Sequence, residues 1–216
     1  MTEGLKAVLF DLDGTLIDTE KYYRRIWPLA CAHFGFTLTE EMYFQLRSLG
    51  RPFVRERFGE WFGEAFDYDK VRDYRMGLFR EYVAEHGIDL KPGAVELLSF
   101  LKERGVICAT ATATDEERTR EYLTQVGLLK YFDRICCATQ VEHGKPSPEL
   151  YRYALEILGL KTEEAIAVED APNGVRSAAS AGLRVIYIPD QKDDEDEISG
   201  LYYRKCSSLF DLIDEK

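Results

Sequence analysis

Two aspartates near the start of the chain, Asp11 and Asp13, are the residues whose types and spacing most directly suggest chemistry. They lie in the stretch 5–20, LKAVLFDLDGTLIDTE, whose segment 7–11 runs apolar into a carboxylate, as a strand buried on both faces does. Residues two apart on extended backbone leave the same face, which brings both carboxylates to one edge of a sheet. Like charges that close need a cation or a shifted pKa, and a divalent metal with oxygen ligands is the simplest compensation. Gly14 gives the turn a backbone conformation closed to most residues, and Thr15 adds a hydroxyl beside it. Two plainer readings compete. One is an Asp-rich turn closing an ordinary strand; the other is a calcium loop, which the apolar Leu16 and Ile17 disfavour because more ligands should stand there.

The framework around these acids has to come from a chain of 216 residues, enough for one large domain or for a domain carrying an insertion. With 45% hydrophobic and 31% charged residues it reads as globular. No apolar run approaches a membrane span, and Lys6 and Asp11 interrupt any signal-peptide pattern, so a cytoplasmic protein is expected. A net charge of −11 argues against nucleic acid or an anionic membrane as partner. An anionic substrate would then depend on local cations. The five cysteines form no CxxC pair and sit in mostly apolar contexts, as reduced core thiols do.

Along the chain, apolar spacing predicts a helix over 21–34, with Pro28 as a possible kink. From 39 to 86 no strand-like run occurs and aromatics are dense, which predicts a small helical bundle in which those rings are packing. Joints are expected at Leu49-Gly50-Arg51-Pro52 and over 63–68. Beyond Pro92 helices over 92–104, 115–126, 147–158 and 173–181 alternate with strands over 106–111, 134–138, 165–169 and 184–188. That rhythm predicts an α/β fold: a Rossmann-like three-layer core with a parallel sheet, interrupted by an all-helical insertion. The core would comprise 1–17 and 90–216, and the insertion 18–89. The acidic run 193–197 reads as a solvated loop.

Ligands of open parallel sheets collect beyond the strand carboxyl ends. The first strand brings Asp11 and Asp13 there, and the second ends in Ala111-Thr112-Ala113-Thr114, hydroxyls at the mouth of a helix. A later loop, His143-Gly144-Lys145-Pro146, projects a lysine, and another strand ends in Glu169-Asp170. Each has an ordinary structural explanation as a cap, a loop charge or a polar strand end. Together they supply carboxylates for a cation, a hydroxyl for a phosphate oxygen and an ammonium, a set suited to phosphoryl transfer.

In order and spacing, DLDGTLIDTE, the ATATAT strand end, GKPSPELY and VEDAPNGVRSAASAG resemble the four motifs of the haloacid dehalogenase superfamily. The helical block falls where the phosphatase and β-phosphoglucomutase branch carries its cap domain. The resemblance implies that Asp11 is a nucleophile forming an aspartyl phosphate and that Asp13 is the acid and base. It implies that Thr112 and the Ala113 amide hold phosphate, and that Lys145 balances charge. It implies Mg2+ bound by Asp11, the Asp13 carbonyl, Asp170 and Glu169. Dehalogenases lack an acid at the place of Asp13, which leaves phosphatase and phosphomutase.

Many mutases carry a histidine where Tyr23 stands here, a departure that weakens the mutase reading. Among Arg47, Arg51 and Arg55, Arg51 is the first candidate to touch a substrate anion, and His143 is the one histidine placed near the site. The expectation is a magnesium-dependent phosphatase of a small-molecule phosphate ester, for which nothing obliges more than a monomer. The alternatives are a sugar phosphomutase of the β-phosphoglucomutase kind and a catalytically silent binding or regulatory protein on the same fold.

Overall fold

Every residue of the first strand, β1 (Ala7–Phe10), is buried, because helices cover the sheet on both sides. Val8 and Phe10 enter one core with Leu97, Leu98 and Leu101, while Ala7 and Leu9 enter a second with Leu150, Tyr151 and Val175. Pleating imposes that alternation. The computed structural model describes residues 4–191 and 195–213.

The other strands are β2 (Ile107–Thr110), β3 (Ala165–Glu169), β4 (Arg184–Tyr187) and β5 (Arg204–Lys205). All pair in parallel, in the order β2-β1-β3-β4-β5. Phe10 is in register with Thr110 on one side and Val168 on the other, so Asp11, Ala111 and Glu169 come up abreast at the carboxyl edge. Helices α5 (Ala94–Glu103) and α6 (Glu116–Gln125) feed the first core, and α7 (Glu149–Leu158) and α8 (Pro172–Ser180) the second. The result is the expected three-layer α/β fold.

Between β1 and α5 lie four helices: α1 (Glu20–His33), α2 (Glu40–Leu46), α3 (Phe53–Phe62) and α4 (Tyr68–His86). Helix α1 runs unbroken through Pro28 and packs on α4, with the Tyr23 ring stacked on Phe79 at 4.6 Å. Thr39 and Asp67 cap α2 and α4 through side-chain oxygens, satisfying amides the helices leave unpaired. The chain enters and leaves this block along paired backbones. Asp18 N–H donates to the Asp89 carbonyl at 2.8 Å and Lys91 N–H to that of Leu16 at 2.9 Å.

Two expectations change. Segment 134–138 is not a strand; it runs beside β2 through isolated bridges, Ala109 to Arg134 and Thr112 to Cys137, with Thr110 N–H donating to the Arg134 carbonyl at 3.1 Å and Thr112 N–H to that of Cys136 at 3.2 Å. Between them the Cys136 amide donates to the Thr110 hydroxyl, which donates in turn to the Cys136 carbonyl, each at 3.0 Å, so a side chain takes the amide a regular ladder would pair with backbone. Strand β5 was not anticipated, because its two residues are basic and carry no apolar signal. Of the acidic run 193–197, residues 193 and 194 lie outside the described residues, while Glu195–Ile198 forms a short 3-10 turn.

Candidate active site

Asp11 is 2% exposed at the end of β1, and the Lys145 ammonium donates to its Oδ1 at 2.5 Å. The other oxygen, Oδ2, is buried with no hydrogen-bond partner among the described residues. Lys145 also pairs with Glu169 Oε1 at 2.6 Å, and the Tyr151 hydroxyl donates to that same oxygen, leaving Glu169 Oε2 buried and unpartnered. Burial disfavours the Lys145 ammonium, but the carboxylates of Asp11 and Glu169 outweigh it and lift its pKa above the usual range.

Asp170, the next residue on, accepts from Thr15 Oγ1 at 3.3 Å and from the Arg47 guanidinium at 2.5 Å. Asp11, Glu169 and Asp170 each present a carboxylate oxygen within 4.8 Å of the others, all buried. Desolvation pushes Asp11 up to about 8 against the pull of Lys145, and pushes Asp170 well above the carboxylate range. Three buried carboxylates face two cations, and two of their oxygens have no donor. An oxygen-only set with surplus negative charge fits a hard divalent cation.

Asp13 is arranged differently. The Thr19 hydroxyl donates to its Oδ1 at 2.6 Å and the Thr114 hydroxyl to its Oδ2 at 2.7 Å, so the carboxyl is oriented from both sides. Gly14, at φ +83°, makes the turn that separates it from Asp11, and a Cβ there would run into the Asp170 carboxylate. Thr112 is 1% exposed and its hydroxyl accepts from the Thr114 amide at 3.1 Å. Thr112, Ala113 and Thr114 line the same cleft as Asp11 and Asp13.

The helical block forms the opposite wall of this cleft, through Glu20, Tyr23, Trp27, Arg51 and Arg75 among others. Its 47–51 loop, between α2 and α3, is bound to the core. Asn173 Nδ2 donates to the Arg47 carbonyl at 2.9 Å, Gly50 N–H to the Lys145 carbonyl at 2.8 Å, and Gly144 N–H to the Arg51 carbonyl at 2.6 Å. A Cβ on Gly50 would lie 2.7 Å from Gly144 Cα, so two glycines permit this approach. Arg47, not Arg51, reaches the acidic cluster; Arg51 stays exposed on the cleft wall, and Arg55 points away to pair with Asp69 at 2.6 Å. His143 is half-buried, hydrogen-bonds Glu149 at 2.7 Å and does not line the cleft.

Thr19, Thr114, Glu20, Tyr43 and Tyr151 were not singled out from the sequence, and Arg47 was named there only as one of three arginines, behind Arg51. Thr114 lies in the threonine-rich strand end, and Thr19 and Glu20 in the opening stretch, where each offered a weak signal. The Tyr43 hydroxyl donates to Glu20 Oε2 at 2.5 Å, and burial raises the Glu20 carboxyl to about 8 although Arg47 opposes it. Nothing local to Tyr43 or Tyr151 marks it out, since both look like core aromatics.

The carboxyl edge of the parallel sheet thus gathers a lysine-bound aspartate, a second oriented aspartate and a buried acidic cluster. Residues 5–182 match the model of the haloacid dehalogenase-like hydrolases, and the chain belongs to that family. A phosphorylated carbohydrates phosphatase of Thermotoga maritima is 33% identical over 188 residues, covering 85% of this chain and 84% of its own. The crystal structure of a mutant CbbY from Rhodobacter sphaeroides in complex with xylulose-(1,5)-bisphosphate superposes with a TM-score of 0.83 at 31% identity, covering 96% of each chain. A putative β-phosphoglucomutase from Bacteroides vulgatus gives 0.81 at 25% identity, covering 97% of this chain and 86% of its own. No helix among the described residues is long and apolar enough to cross a membrane.

Proposed function

We propose that the protein is a magnesium-dependent phosphatase of a phosphorylated sugar, working through an aspartyl phosphate on Asp11. The observation that carries this reading is the asymmetry of Asp11: Lys145 holds Oδ1, while Oδ2 is buried and undonated beside the cleft. Such an oxygen is available to bond phosphorus. Asp13, oriented by two hydroxyls, protonates the leaving sugar oxygen and then removes a proton from water, which attacks the phosphoenzyme and restores Asp11. The Thr112 hydroxyl and the Ala113 amide hold the phosphoryl oxygens, and Lys145 neutralises charge between them and Asp11.

Asp11, the Asp13 carbonyl, Glu169 and Asp170 would hold Mg2+. When bound, the ion offsets the repulsion between carboxylate and phosphate. The helical segment 18–89 serves as a cap over a core of 1–17 and 90–216, supplying the wall that contacts the sugar. Tyr23 belongs to that wall. Burial, reinforced by Asp13, holds its phenol well above its ordinary pKa. It stands where many mutases carry a histidine, which favours water over a sugar hydroxyl as the acceptor.

Incubation with magnesium and a panel of sugar phosphates should release inorganic phosphate, and Asp11→Asn should abolish release in a folded protein. Conversion of β-glucose 1-phosphate to glucose 6-phosphate ahead of phosphate release would establish the phosphomutase instead. Magnesium binding with no turnover of any ester would mark a silent binding protein.

A further inference from the structure

Each of the three clustered carboxylates has one oxygen tied to a strong donor and the other left open or nearly so among the described residues. Lys145 holds Asp11 at Oδ1, and Oδ2 has no partner. Lys145 and the Tyr151 hydroxyl share Glu169 Oε1, and Oε2 has none. Arg47 holds Asp170 at Oδ2, which leaves Oδ1 only the long 3.3 Å bond from the Thr15 hydroxyl. Separate parts of the chain supply these donors: Tyr151 stands on α7, and Arg47 follows α2 in the helical block. The carboxylates have little room to turn. A Cβ on Gly174 would fall 2.0 Å from Glu169 Oε2, and one on Gly14 would fall 2.3 Å from Asp170 Oδ2. Arg47 is held as closely, its side chain fully buried with Glu20 3.6 Å from Nε and Asp190 3.9 Å from Nη2.

The number of oxygens a carboxylate can offer separates divalent cations. Ca2+ gathers many oxygens in a flexible shell and often takes both of one carboxylate, whereas Mg2+ demands a compact octahedral set. We propose that Arg47 and Tyr151 are positioning residues that set the choice of cation: by occupying the second oxygen of Asp170 and of Glu169 they keep both as one-oxygen ligands and favour Mg2+ over the larger Ca2+. The inference rests on the reading of the acidic cluster as a metal site. It adds that the helical block takes part in metal choice, because Arg47 reaches Asp170 from a loop that Asn173 and Lys145 hold against the core. Both ions carry the same charge, so the repulsion that Arg47 exerts on a bound cation largely cancels when their affinities are compared, and the number of oxygens on offer remains.

The test titrates metal-free, full-length protein with magnesium chloride and with calcium chloride in a calorimeter and reads the ratio of the two affinities. The unsubstituted protein should prefer Mg2+. Arg47→Gln, which takes the cation off Asp170 Oδ2, is expected to narrow that preference by about 10-fold or more, the scale on which the hydrogen-bond partners of metal ligands act. Arg47→Lys keeps an ammonium for the same oxygen and should retain most of the preference. Tyr151→Phe leaves Lys145 on Glu169 Oε1 and should narrow the preference less, by about threefold, and it reads the same ratio where Arg47→Gln does not fold. Equal affinity of the unsubstituted protein for the two ions overturns the inference and leaves the metal site standing. So does a ratio that neither Arg47→Gln nor Tyr151→Phe moves, or one lost as fully in Arg47→Lys as in Arg47→Gln, the mark of a merely structural role. Binding of neither ion by the unsubstituted protein overturns the metal reading itself.

Discussion

The two walls of the cleft treat charge in opposite ways. On the sheet side anions outnumber cations: Lys145 divides itself between Asp11 and Glu169, and two buried carboxylate oxygens stay open. On the helical side cations meet rings and sulfur, as Arg75 does with Tyr23, Trp27 and Met76. An anionic sheet side and a cationic helical side are what the proposed pairing of a metal with a phosphorylated ligand requires. On the proposed function the contrast separates chemistry, at the strand ends, from recognition, on helices that belong to another part of the chain. Arg47 is the exception that joins them, a helical-side cation placed on the sheet-side Asp170.

Removing the proposed sheet-side nucleophile should break the site most completely. Asp11→Asn is expected to lower the rate of phosphate release by about 10⁴-fold or more, in single-turnover assays on protein shown to be folded. Next in size, Gly50→Ala would place a Cβ 2.7 Å from Gly144 Cα and 2.9 Å from the Lys145 amide, prising the walls apart where only backbone could yield. A displacement of that kind is expected to cost about 10²-fold in kcat/KM, with a smaller loss in Tm. An unaffected Gly50→Ala enzyme would show that the two walls need not meet there for turnover.

The charge surplus itself can be sharpened by pH. Burial holds Asp11 and Glu20 at about 8 in the metal-free protein, while the unfolded chain releases those protons near its ordinary carboxylate values of 3.8 and 4.5. Between these limits the folded state binds more protons than the unfolded one, so stability declines as pH rises. Denaturant titrations of metal-free protein should show the midpoint falling from about pH 5 to pH 8, by the equivalent of about 1 kcal/mol or more per group. Magnesium should flatten that slope and release protons on binding, seen as a buffer-dependent heat. The smallest effect is expected away from both walls. Arg55 and Asp69 form an exposed pair at 2.6 Å, and Arg55→Ala should change stability by less than about 1 kcal/mol and leave kcat/KM as it was.

How much of this was legible in advance differs between the walls for the same reason. A buried parallel strand announces itself by an apolar run, and the residue that ends the run is fixed at the sheet edge, so Asp11, Asp13, Glu169 and Asp170 could be named together. Arg47, Arg51 and Arg55 look alike in sequence, spaced by four. Their fates, one buried on Asp170, one exposed in the cleft and one on the outer surface, depend on where the 47–51 loop seats against the core. Tyr23 was singled out as a departure from a histidine, yet its neighbour in space, Arg75, carried no mark.

The sequence by itself determined the alternation of helix and strand, the helical interruption and the acids at the strand ends, because these follow from local periodicity and from which residue follows an apolar run. Only the tertiary structure decided that Thr19 and Thr114 share the two oxygens of Asp13, that Lys145 spans two carboxylates and that Arg47 lies on Asp170. Those pairings join residues up to 134 positions apart, and their partners are chosen by strand order and by the seating of one loop, which no local pattern encodes.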